Sequence, residues 1–190
     1  VPVEIVSVST AAEPVSVVTR SAVLVGKGAK ATVVETHVNA SAQRNTALVV
    51  DVADGAELEH VVQFGAGQVP VTPGVTLASG LVTLGAGVTF RSVALATAVS
   101  LVRNQVFMAY RGENTTATLG GAALLKGREH VDTTLVVDHA VPHCESRELY
   151  KHVLDGEATG VFQGKIVVKP LAQKTDGRMA SNALMLSDGA

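Results

Sequence analysis

The chain has 190 residues, a formal net charge of −2 and 47% hydrophobic residues, with 17% charged and 3% aromatic. That length suits one sizeable domain, and the near-neutral balance offers no electrostatic footprint for nucleic acid or an anionic membrane surface. With no tryptophan, 4 Phe and 2 Tyr, the core must come from Val, Ala and Leu, which together with 18 Gly points to sheet and to close approach of backbones.

Taken in chain order, period-2 patterns dominate. AVLVGKGAKATVVETHV (22 to 38) and TALVVDVADGAELEHVVQF (46 to 64) alternate or run apolar and are rich in β-branched residues, which predicts strands broken by glycine turns. The longest apolar stretch, VALATAVSLV (93 to 102), is about half of what a bilayer span needs. ESRELYKHVL (145 to 154) allows a helical turn or an extended segment, and TGVFQGKIVV (159 to 168) reads as another strand. The chain opens at Val with no secretory pattern and stops at LSDGA, inside a repeat, so it reads as a fragment of a longer cytoplasmic protein. A single cysteine excludes an internal disulfide.

A loose repeat runs through these segments: a glycine turn, then an apolar residue at every second position. From Gly28 to Gly55 is 27 residues, from Gly55 to Gly87 is 32, and from Gly156 to Gly189 is 33. Such a spacing signals a solenoid with rungs of unequal loop length. A β-sandwich also fits the turn frequency. A narrow lumen filled by small and β-branched residues favours the parallel β-helix, whose open ends need a cap or a partner.

Chemistry-bearing residues concentrate in VDHAVPHCESREL (137 to 149), which holds Asp138, His139, His143 and the lone Cys144. His139 and His143 have the i, i+4 spacing of a helical metal pair, but Pro142 removes helical geometry at Val141. An extended chain would put Asp138 and His139 on opposite faces. With at most three donors and no CxxC or HExxH context, these are read mainly as turn and rung-surface residues, with His139, His143 and Cys144 kept as metal candidates. Cys144 as a nucleophile would need an aligned base. Asp132, Asp138, Asp155 and Asp176 are candidate carboxylates for a carbohydrate-active β-helix enzyme, a reading weakened by the scarcity of aromatic sugar platforms. The pairs Gly26/Gly28, Gly65/Gly67 and Gly85/Gly87 extend to no nucleotide-binding motif and are read as turns. Asn39 and Asn114 head Asn-x-Ser/Thr triplets without meaning in a cytoplasmic protein.

Residues 126 to 190 carry GREHVD (127 to 132), VDHAVPH (137 to 143), SRELYK (146 to 151), LDGEATGVFQGKIVV (154 to 168) and AQKTD (172 to 176). In sequence and order these runs resemble the SufB/SufD family of the SUF iron–sulfur cluster assembly system. The resemblance implies an all-β, right-handed parallel β-helix across residues 1 to 190, with flanking helical regions outside this chain. It also implies a non-catalytic scaffold subunit that pairs with a SufB-like paralogue and the ABC-type ATPase SufC, and that is linked to iron entry. The cluster is then built by the whole complex, with no cofactor bound by this segment. Homodimerisation through the β-helix and filament-forming self-assembly remain alternatives. The resemblance makes His139 and His143 parts of a family pattern. Cys144 stands where relatives commonly have Thr, which argues against a required ligand.

Overall fold

The computed structural model describes residues 2–8, 15–38, 42–65 and 74–190, without the side chain of Ala42. Asn39 and Gly67 lie outside the described residues. Every element is a strand: β1 (Pro2–Ser7), β2 (Val15–Val25), β3 (Lys30–His37), β4 (Ala42–Val52), β5 (Glu57–Phe64), β6 (Val75–Leu84), β7 (Thr89–Thr97), β8 (Leu101–Tyr110), β9 (Thr116–Leu125), β10 (His130–His139), β11 (Glu145–Leu154), β12 (Thr159–Val168) and β13 (Asp176–Met185). The odd strands form a seven-stranded sheet and the even strands a six-stranded one, all pairings being parallel. The chain alternates between the two sheets and climbs one strand spacing per circuit, giving a β-helix of about six turns. The sandwich alternative is thereby excluded, since its sheets are antiparallel. Residues 145–154 form strand β11 and not a helical turn.

Lys30, Glu57, Thr89, Thr116, Glu145 and Asp176 pair successively, so the circuits take 27, 32, 27, 29 and 31 residues. Inward positions stack into rows. On the odd sheet Leu58, Phe90 and Ala117 are superposed and fully buried. On the even sheet Val52, Leu84, Tyr110 and His139 make a fully buried row one strand apart. One face of each strand is therefore apolar because it lines the lumen, which is the source of the period-2 pattern.

Each corner from the even sheet to the odd sheet contains one residue in the left-handed region, where glycine alone is free of a Cβ penalty. Gly28, Gly55 and Gly87 fill it first, at φ 67°, 67° and 63°. The same corner then continues through Asn114 (φ 59°), His143 (φ 58°) and Lys174 (φ 59°). A backbone ladder ties the corners together: the amides of Gly28, Gly55, Gly87 and His143 donate to the carbonyls of Asp54, Ala86, Glu113 and Gln173 in the next circuit. Gly127 and Gly156 occupy the opposite corner. The glycine spacing ending at Gly156 and Gly189 therefore belongs to the other edge of the solenoid.

Candidate functional site

Strand β10 and the corner after it decide the fate of the three metal candidates. Its inward residues are Val131, Thr133, Leu135, Val137 and His139, and its outward ones include Asp132 and Asp138. The opposed placement of Asp138 and His139 agrees with extended geometry. His139 is fully buried, not on the rung surface, and continues the row of Val52, Leu84 and Tyr110. Its ring stacks on Tyr110 with centroids 4.3 Å apart, and its Nε2 pairs with Ser146 Oγ at 3.1 Å. Burial pushes its pKa down despite the nearby Asp138 carboxylate, so the ring is held neutral.

His143 faces solvent at the left-handed corner position. Cys144, next to it, turns inward and is fully buried. Its place in the circuit is that of Ala56, Val88 and Thr115, as shown by the amides of Thr89, Thr116, Glu145 and Asp176 donating to the carbonyls of Ala56, Val88, Thr115 and Cys144. Thr115 Oγ1 donates to Gly85 O at 2.6 Å, and one circuit later the Cys144 thiol points to Gly112 O at 3.4 Å. Cys144 thus takes a threonine's place and its hydrogen bond, while burial raises the thiol pKa and keeps it from the reactive thiolate. The candidates therefore do not converge: His139 and Cys144 turn inward with different partners, Ser146 and Gly112, while His143 faces solvent. Among the described residues no group of three or more His, Cys, Asp or Glu side chains is arranged to hold a metal ion.

Two substitutions separate these structural roles from ligation. Glycine at His143 is expected to stabilise the fold by about 1 kcal/mol by relieving the left-handed Cβ. Cys144→Thr should change stability by less than about 1 kcal/mol, because the hydroxyl can reach the same carbonyl. Urea denaturation of both variants checks this pair of results, and a loss of 2 kcal/mol or more in either (roughly twice an ordinary hydrogen bond) would refute the corner assignment.

The candidate carboxylates are spread apart. Asp132 and Asp138 lie six residues apart on one strand face, about 20 Å at strand rise, well beyond the separation of a glycosidase pair. Asp132 meets Arg103 at 3.4 Å, Asp138 meets Lys169 at 3.6 Å, and Asp176 pairs with Arg147. Asp155 Oδ1 accepts the Gly156 amide at 2.9 Å.

The interior holds polar groups that the sequence reading passed over. Glu35 Oε1 lies 3.1 Å from His37 Nε2, and its Oε2 lies 3.5 Å from His60 Nε2. Burial opposes ionisation of Glu35, but the two imidazoles overcome it and hold the carboxyl down at about 2. His60 Nδ1 faces Ser92 Oγ at 3.4 Å. Arg44 is also buried, with no hydrogen-bond partner at Nη2 among the described residues. Further along the lumen, burial raises the Glu148 carboxyl, and among the described residues neither of its oxygens makes a close hydrogen bond. Strand parity was the available signal: Glu35, His37, His60 and Glu148 occupy the same inward alternation as Val33, Leu58 and Tyr150.

A parallel β-helix alone assigns no function, and sequence comparison supplies what the geometry does not. The family model for the SUF-system FeS cluster assembly SufBD core domain matches residues 7–190. The chain belongs to the SufB/SufD family. It is 30% identical over 163 residues to the iron–sulfur cluster assembly protein SufD of Escherichia coli, covering 84% of this chain and 38% of that protein. Iron–sulfur cluster assembly SufBD family proteins of Mycobacterium tuberculosis and Synechocystis are each 30% identical, over 114 and 103 residues. These two alignments cover 56% and 53% of this chain, and 29% and 22% of the relatives. The chain thus spans well under half the length of these relatives, and within the family it represents the SufBD core.

Among the described residues no helix is long and apolar enough to cross a membrane.

Proposed function

We propose that this SufBD core is the scaffold segment of a SUF assembly complex. It pairs with a SufB-like paralogue and works with the ABC-type ATPase SufC, in the cytoplasm, without carrying out catalysis itself. The cluster is cargo of the whole complex and not a resident cofactor of this chain. In this reading residues 1–190 are the β-helix of a longer polypeptide whose helical flanks contact the ATPase.

The observation that carries the reading is the family match across residues 7–190. The structure supports it indirectly, because the motif residues serve the solenoid: His139 in the lumen, His143 at a corner, Cys144 in a threonine position. Anaerobic affinity purification of the intact protein from its own cells tests it. Recovery of a β-helix paralogue together with an ABC-type ATPase is the expected result. Recovery of neither, with the protein intact and soluble, would reduce the likeness to one of fold.

A further inference from the structure

The solenoid lumen contains a cavity of about 30 Å³ whose wall includes Glu35, His60, Ser92 and Asn104. Its origin is a missing side chain. On the even sheet Leu48, Gly80, Val106 and Leu135 form one inward row, and Gly80 leaves a gap in it. A Cβ built on Gly80 would make only ordinary contacts, 3.9 Å from Gln105 O and from Val106 Cγ2, so a side chain fits there without a clash. A void of this size accommodates an ion with a water molecule or two.

Two of the polar groups around it, Glu35 and His60, are spaced as a pair of ligands needs. His60 Nε2 is buried, makes no close hydrogen bond among the described residues, and faces Glu35 Oε2 at 3.5 Å. That separation is close to the edge of a coordination polyhedron built from metal–ligand bonds of about 2.0–2.2 Å. Each of these donors has a second partner on its far side. His60 Nδ1 faces Ser92 Oγ at 3.4 Å, and Glu35 Oε1 lies against His37 Nε2. Outer contacts of this kind orient ligating imidazoles and carboxylates. Asn104, which is buried, adds a neutral donor on the cavity wall.

We propose that this cavity is a binding site for one divalent first-row metal ion, held by Glu35, His60 and Asn104 and completed by water. Only two of the donors are ionisable, so the site differs from the His/Cys/Asp/Glu clusters that the described residues lack. The imidazole is the donor that favours such an ion over the hard alkaline-earth cations, whereas the carboxylate and amide oxygens suit either. The inference does not depend on the assembly role, since it rests on the lumen alone.

Titration of the metal-free intact protein with Co(II), followed by visible absorption and calorimetry, tests it. Saturation near one equivalent is expected. Glu35→Gln and His60→Gln should each weaken binding by at least about tenfold. Gly80→Val, which touches no donor and fills the void, should abolish it. Gly80→Ala is the milder variant if valine prevents folding. In the unsubstituted chain, paramagnetic broadening of NMR signals should centre on the His60 ring. Absence of a saturable site, undiminished affinity in these variants, or broadening centred on the exposed His143 would each overturn the proposal.

Discussion

Alanine at Gly112 is expected to destabilise the fold by about 3–5 kcal/mol, the upper range for a single substitution. Gly112 lies in the corner between β8 and β9, directly against the corner of the preceding circuit. An added Cβ would sit 2.1 Å from Ala86 N, 2.4 Å from Ala86 Cα and 2.6 Å from Gly85 C. These are backbone atoms, so no rotamer change can relieve the overlap, and the two circuits would have to separate. Separation would break the ladder in which Gly87 N donates to Glu113 O at 2.9 Å, and would pull the Cys144 thiol from Gly112 O. Gly26→Ala is the control, because its Cβ meets nothing within 4 Å. It should leave stability unchanged or raise it by up to about 1 kcal/mol. Urea midpoints of the two variants provide the measurement, and equal midpoints would contradict the stacked-corner description.

The second large effect has the opposite sign. Glu148 is buried between Leu119 and Met179 in its inward row, and among the described residues neither oxygen makes a close hydrogen bond, with only Ser146 and Arg147 nearby to offset its charge. Replacing it with leucine removes an unmet desolvation cost and should stabilise the fold by about 1–3 kcal/mol, or roughly 2–4 °C in melting temperature for each kcal/mol. The gain depends on pH in a defined direction. Burial raises the folded-state pKa above the unfolded value, with Ser146 and Arg147 countering only in part. Whatever Glu148 contributes is then fully present below the ordinary carboxylate range and is lost as pH rises through the raised value. The advantage of Glu148→Leu over the unsubstituted chain should therefore be largest near neutral pH and shrink as pH falls toward 4.5, the ordinary glutamate value. Glu35 works the other way. Held at about 2 by His37 and His60, it contributes stability above 4.5 that is lost as pH falls toward 2. Melting curves at several pH values separate the two groups, and an advantage for leucine that grows on acidification would contradict the buried-acid assignment of Glu148.

Both effects concern positions that the sequence shows only in part. The all-β class and the solenoid were legible because a lumen imposes period-2 burial on strands such as LEHVVQF, residues 58 to 64. Counting glycines followed the corner correctly as far as Gly87, then lost it, because Asn114, His143 and Lys174 replace glycine there. A left-handed backbone at those residues is imposed by the stacked circuits and leaves no compositional trace. The same holds for the candidate site. Adjacent donors in VDHAVPHCES looked like a cluster, yet alternation and the corner at residues 140 to 144 turn His139 inward, His143 outward and Cys144 inward again. Glu35 and His60 are 25 positions apart in sequence and met only once β3 and β5 paired in register. Register between strands is a tertiary property, so no local pattern announces it.

The assembly role is tested most directly by anaerobic purification of the intact protein carrying His143→Gly and Cys144→Thr together, with iron, acid-labile sulfide and partner proteins quantified beside the unsubstituted form. Undiminished recovery of the paralogue, the ATPase and the cluster is predicted, since both side chains serve the solenoid corner. Retained partners with loss of iron and sulfide would contradict the account and return these two residues to the cluster site.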